Sequence, residues 1–252
     1  MTNAPALLNH ALRMLVHDPA VTLRILMPGL LLIVASSIGI TYFMPGQMWS
    51  PTLTPDQVEM IEPSDAGGVL LAGLAGVVGY ILTAVIWHRH VLLTGAARET
   101  PLFPGVGVMG SYLWRAIIVA LVQIAAALPI LAVTGLIATV VSLFLAGFLA
   151  GIIFFWLALR ISLILPAAAM GRQMRIAESW QATAPLAGPL WGVAAMLSIL
   201  SAVLALVIGM LTGAGSTANI ALQNVSFIVE ALISISVLTT LYGHLIEGRP
   251  LG

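Results

Sequence analysis

The sequence predicts an all-α fold: a polytopic membrane helical bundle of six transmembrane helices with short interfacial helices and both termini cytoplasmic. Three observations carry this expectation. Of the 252 residues 60% are hydrophobic and 7% charged, with a mean hydropathy of +1.10, which leaves too few polar groups to coat a water-soluble globule. Uncharged runs long enough to cross a hydrocarbon core, about 20 residues, recur along the whole chain. The nine basic residues, all arginine, gather in alternate connections.

The spans are expected at Leu23 to Met44, Gly68 to Trp87, Leu113 to Val133, Ser142 to Leu165, Leu190 to Leu211 and Ile220 to Tyr242. No charge occurs between Arg115 and Arg160. At about 1.5 Å per residue that stretch is too long for one crossing, so it reads as two helices turning near Val133 to Thr139. Arg13 precedes the first span and Arg24 stands at its start, Arg89, Arg98 and Arg115 lie in or beside the second connection, Arg160, Arg172 and Arg175 cluster at the fourth, and Arg249 follows the sixth. The positive-inside bias places these segments in the cytoplasm. The loop after span one holds Asp56, Glu59, Glu62 and Asp65 without a base, as an exported loop should. The first apolar run is a full span with no small-residue cleavage pattern, so no cleavable signal is expected.

The chain reads as one integral membrane domain, 1–252, with a hint of three parallel units (1–92, 93–170, 171–252), each a short cytoplasmic-face segment followed by two spans. In "LLNHALRMLVHDP" Leu8, Leu12, Leu15 and Val16 follow helical spacing while Asn9, Arg13 and His17 lie elsewhere, which predicts a helix floating in the interface. "MRIAESWQATAP" reads the same way, with Ile176 and Trp180 toward lipid and Arg175 and Glu178 spaced to pair. Small residues predict close helix packing: Gly68, Ala72, Gly76 and Gly79 in span two, Gly147 and Gly151 in span four, Ala194, Ser198, Ala202 and Ala205 in span five.

Two motifs, "WHRHVLL" closing span two and "RISLILPAAAMGRQMRIAESWQAT" closing span four, resemble a family of uncharacterised six-span bacterial inner-membrane proteins, itself similar to the membrane domain attached to some glycerophosphodiester phosphodiesterases. The resemblance implies a non-catalytic, multi-pass module of the bacterial inner (cytoplasmic) membrane. It carries over no substrate and no catalytic residue.

The histidine pair does not read as a chelate, because residues two apart on a helix point about 200° apart. Trp87, His88, Arg89 and His90, with Arg160, Arg172 and Arg175, are therefore expected as interfacial residues that meet lipid headgroups, Arg160 by snorkelling or by pairing with a neighbour. His10, His17 and His244 fall on the same side, but without cysteine or a suitably spaced acid they do not spell a metal site. Glu230 stands near the middle of span six, where a carboxyl is expensive. Gln223, Ser226, Glu230 and Ser234 share its helical face, and Gln123 of span three is placed to hydrogen-bond Glu230. Such a bond would tie two helices together; the competing reading is a polar path for a proton or small solute.

No phosphate-binding glycine loop, HExxH or GxSxG is present, and "GVGVMG" from Gly105 to Gly110 reads as a flexible lead-in to span three. No enzyme, cofactor, metal or nucleic-acid partner is expected. The residues favour a non-enzymatic module that organises the envelope by contacting membrane lipids, membrane proteins or a second copy of itself. The alternative is a small-solute or proton-coupled transporter built on the face around Glu230.

Overall fold

The computed structural model describes residues 3–43, 63–94, 103, 105–140, 142–213 and 216–251. The acids Asp56, Glu59 and Glu62 of the expected exported loop, and Arg98, lie outside the described residues. Every described regular element is helical. In order they are α1 (Ala4–Val16), α2 (Pro19–Phe43), α3 (Pro63–Leu92), α4 (Val106–Ala138), α5 (Leu143–Ile161), α6 (Ile164–Ala169), α7 (Ile176–Ala182), α8 (Ala187–Leu211) and α9 (Thr217–Leu245), with a 3-10 turn at Ala184–Leu186 before α8. Among the described residues six stretches are long and apolar enough to cross a membrane, with α5 and α6 together forming the fourth. The all-α membrane bundle expected from composition is the fold observed.

Local chemistry sets several ends. The Asn3 side chain accepts the Ala6 N–H at 2.9 Å and Asp18 accepts the Val21 N–H at 3.1 Å, so each caps the first turn of the helix that follows it. Ser142 does the same for α5 through the Leu145 N–H at 3.2 Å. The helix α4 persists through most of the expected turn, to Ala138. Its start corrects the reading of "GVGVMG" as a flexible lead-in: α4 already begins at Val106, and only Gly105, at φ 89°, leaves the helical region, a conformation that favours glycine. Span four breaks between α5 and α6, at Ser162 and Leu163, ahead of Pro166. Proline then falls in the first turn of α6, where its missing N–H would have had no intrahelical partner.

Small residues join the helices within the chain. A methyl group on Gly29 would stand 2.7 Å from the Gly79 carbonyl oxygen, and one on Gly39 would stand 2.9 Å from Cβ of Ala72, so α2 and α3 meet nearly backbone to backbone. The pair α5 and α8 does likewise, with Ser198 Oγ 2.6 Å from the place of a Gly151 Cβ and donating to the Phe148 carbonyl at 3.2 Å. Gly147, by contrast, faces open space.

The expectation that α1 floats is corrected. Its face of Ala4, Leu7 and Ala11 is buried against α8 and α9, Ser236 Oγ of α9 donates to the Ala11 carbonyl at 3.0 Å, and Ala4 packs where Gly192 leaves room. The bulky Leu12 and Val16 remain 36% and 67% exposed. Leu7 anchors the buried face, Leu8 and Leu15 pack partly against the same core, and the small Ala4 and Ala11 beside Leu7 permit the close approach to α8 and α9.

Two adjoining cores occupy one end of the bundle. One joins α1, α5, α6, α8 and α9 around Leu7, Leu163, Leu190 and Leu241; the other joins α2 to α6 and α9 around Trp87, Tyr112 and Ile235. Toward the other end α2, α4 and α9 part. An apolar cavity of about 550 Å³ lies among α2, α3, α4 and α9, and a second of about 450 Å³ separates α2 from α9.

Candidate functional site at the basic end

The closed end is where the polar residues of the sequence meet. Because α3 runs on past Trp87 to Leu92, the Trp-His-Arg-His run lies inside the last turns of a packed helix rather than at its wet tip. Trp87 is 1% exposed and His88 is 0% exposed, which corrects the interfacial reading of both. His88 Nδ1 lies 2.8 Å from Thr239 Oγ1. The Thr239 hydroxyl donates its one hydrogen to the Ile235 carbonyl at 2.8 Å, so His88 Nδ1–H must be the donor in their contact. His88 thereby pins α3 to α9. His90, two residues on, diverges as helical geometry requires and lines a different space.

The arginines cap helix ends. Arg89, buried beside His88, donates from Nη1 to the Ala169 carbonyl at the end of α6, 3.3 Å away. Arg249 reaches back from the C-terminal tail to the Val91 carbonyl at 3.0 Å and to the Leu92 carbonyl, closing α3, while pairing with Glu247 at 2.6 Å. Each satisfies carbonyls that a helix C-terminus leaves without an intrahelical donor. His244 Nδ1–H donates to the Arg249 carbonyl at 2.9 Å.

Arg160 does not snorkel. It is 4% exposed, with its guanidinium 4.2 Å from the ring centre of Trp180 and 5.7 Å from that of Trp156, and Trp156 in turn stacks on Trp191 at 4.6 Å. The neighbour it pairs with is thus aromatic, a cation–π contact. Its own carbonyl accepts from Ser179 Oγ at 2.8 Å, which seats α7 on the end of α5. Glu178 takes the Arg175 backbone N–H at 2.8 Å, the reach of a first-turn cap. Arg172 and Arg175 are exposed.

Around α1 these elements enclose a basic cleft. His10, Arg13 and His17 lie on one face of α1 and, with Trp87, His90 and Val91 of α3, line a cavity of about 360 Å³. A neighbouring cavity of about 400 Å³ shares His10 and Val91 and reaches His244 and Arg249. Among the described residues, no three His, Asp or Glu side chains are grouped to hold a metal ion.

Glu230 sits apart from this cleft. Ser226 Oγ donates to its Oε1 at 2.9 Å, and Ser201 Oγ of α8 donates to Oε2. The expected Gln123 bond is corrected: α8, not α4, is the neighbour of α9 at this depth, and the 550 Å³ cavity stands between α4 and α9. Gln223 Nε2 donates to Asn219 Oδ1, and Asn219 Nδ2 to Thr212 Oγ1, both at 2.8 Å. Ser234 is half-buried on α9.

Sequence reasoning missed Ser201 and Thr239 as partners, and it left His10, Arg13 and His17 outside the candidate set. The i, i+3, i+7 spacing of the last three was a usable signal. The Trp156, Trp180 and Trp191 cluster had none, since its members come from three helices. No family model matches the chain, and no curated protein and no solved structure matches it.

Proposed function

We propose that the chain is a non-enzymatic module of the bacterial inner membrane that helps organise the envelope by holding lipids and membrane partners, with its basic end in the cytoplasm. The observation that carries this reading is the state of Glu230. A carboxyl serving a transport path would face water or a passage; this one is bound by two serine hydroxyls on α8 and α9 and lines none of the described cavities. The arginine bias supports the orientation, and the capping roles of Arg89 and Arg249 support a structural use of these charges.

Native mass spectrometry of the chain purified in mild detergent tests the lipid part. Phospholipid should stay bound through a delipidating wash that strips a control six-span protein. A chain that emerges without any phospholipid would reject the reading.

A further inference from the structure

Two adjoining cavities at the open end of the bundle share one polar wall. The larger, of about 550 Å³, and the smaller, of about 450 Å³, are both lined by Ser37 of α2 and Asn224 of α9. Each has the size of a small-molecule site, roughly 300–1,000 Å³. At 1.5 Å per residue, Asn224 stands about 10 Å inside α9 from its start at Thr217, and Ser37 about 9 Å inside α2 from its end at Phe43. The shared wall therefore lies at acyl-chain depth.

The polar groups of the larger cavity are unspent. Thr41 and Thr134 satisfy their hydroxyls on the carbonyl one turn back, each at 2.7 Å, the usual recourse of a hydroxyl on an apolar helix. Ser36, Ser37, Tyr80 and Asn224 line the cavity and do otherwise: among the described residues none of these four side chains takes part in a hydrogen bond, and their polar atoms are accessible rather than sealed in the core. Three hydroxyls and a carboxamide without partners in hydrocarbon are costly, so a partner inside the cavity is called for. Its character follows from the rest of the lining. No charged side chain lines either cavity, which disfavours any ionic headgroup. The rings of Tyr80 and Phe227 line the larger one, and aromatic faces suit a flat ring. The smaller one is lined by the exposed Val34, Ile38 and Val225, so it opens onto the apolar surface and gives a hydrocarbon tail a way out.

We propose that the paired cavities bind a prenyl quinone, with the ring in the larger cavity, its carbonyl oxygens accepting from Asn224, Tyr80, Ser36 and Ser37, and the isoprenoid tail leaving through the smaller one. The site goes beyond the phospholipid-holding reading above, because its ligand is a neutral lipid of another class. Each of the four side chains supplies at least one donor, and a quinone supplies acceptors on a flat, uncharged ring. A prenol would offer a single hydroxyl and no ring, and a bare acyl chain neither.

The test adds ubiquinone-2, or geraniol as an alcohol with the same prenyl tail, to the full chain in detergent micelles and counts bound ligand by native mass spectrometry. A single quinone should bind per chain, about tenfold more tightly than geraniol, the worth of one or two hydrogen bonds. Asn224→Leu, which keeps the volume and removes the amide, should weaken quinone binding about fivefold. Tyr80→Phe should weaken it similarly, and Ala221→Phe, which fills the smaller cavity, at least as much. Gln123→Leu, at an intramembrane amide that lines neither cavity, should leave it unchanged. Should Asn224→Leu fail to fold, Ala221→Phe, at an exposed position, decides. Equal retention of geraniol, unaltered quinone affinity in Asn224→Leu and Ala221→Phe, or loss of a dimer rather than of the ligand in Ala221→Phe would each overturn the proposal. Phospholipid retained without any quinone would overturn this site alone; quinone retained on a chain stripped of phospholipid would support the site and reject the broader function.

Discussion

The two ends of the bundle are built on different principles. At the basic end α9 buries Ile233, Ile235, Ser236, Val237, Thr239 and Thr240, and α3 buries Ala84, Val85, Trp87 and His88. At the other end α4 carries Leu128 at 73% exposure and Leu131 at 58%, while α2 and α9 stand apart around a cavity. Polar side chains follow the same division. Where helices pack closely, His88, Arg89 and Arg160 are buried and each is bound to a hydroxyl, a carbonyl or an aromatic face. Where they part, the small polar groups of the chain from Gln223 through Asn219 to Thr212 satisfy one another locally. Stability should therefore reside at the basic end, with the open end contributing little.

The largest expected effect comes from truncating the closed core. Leu190→Ala, at a fully buried position, should cost about 2–5 kcal/mol, whereas Leu128→Ala should stay within about 0.5 kcal/mol. Thermal unfolding in detergent checks both, and equal losses would break the comparison. Thr239→Val comes next: it removes the acceptor of a buried imidazole N–H, which should cost about 1–3 kcal/mol, read in the same assay. Thr134→Val, whose hydroxyl bonds only within its own helix, should cost less. The smallest effect is at Glu230. Glu230→Leu should lose about 1 kcal/mol, and Glu230→Gln, which keeps an acceptor oxygen for Ser201 or Ser226, should be close to neutral in unfolding measurements.

These contrasts also mark what the sequence could and could not disclose. The six spans were legible because bilayer thickness imposes a length on any uncharged run, and the helical divergence of His88 from His90 followed from geometry. The docking of α1 was not legible. Hydropathy points to Leu8, Leu12, Leu15 and Val16, yet the face centred on Leu7, with the small Ala4 and Ala11 beside it, makes the closest fit while Leu12 and Val16 stay exposed. The tryptophan at the end of a span read as a lipid anchor; helix α3 continuing to Leu92 turned it into core. The partner of Glu230 could not be foreseen either, because depth along a helix can be counted from sequence whereas which helices are neighbours is set by tertiary packing.

The central claim is that the intramembrane polar groups hold the bundle together and form no path through it. Proton flux into proteoliposomes carrying an entrapped pH-sensitive dye tests this most directly. The account predicts the same leak with the wild type, with Glu230→Gln and in protein-free vesicles. A protein-dependent flux that disappears in Glu230→Gln, with the variant folded and incorporated to the same level, would contradict it.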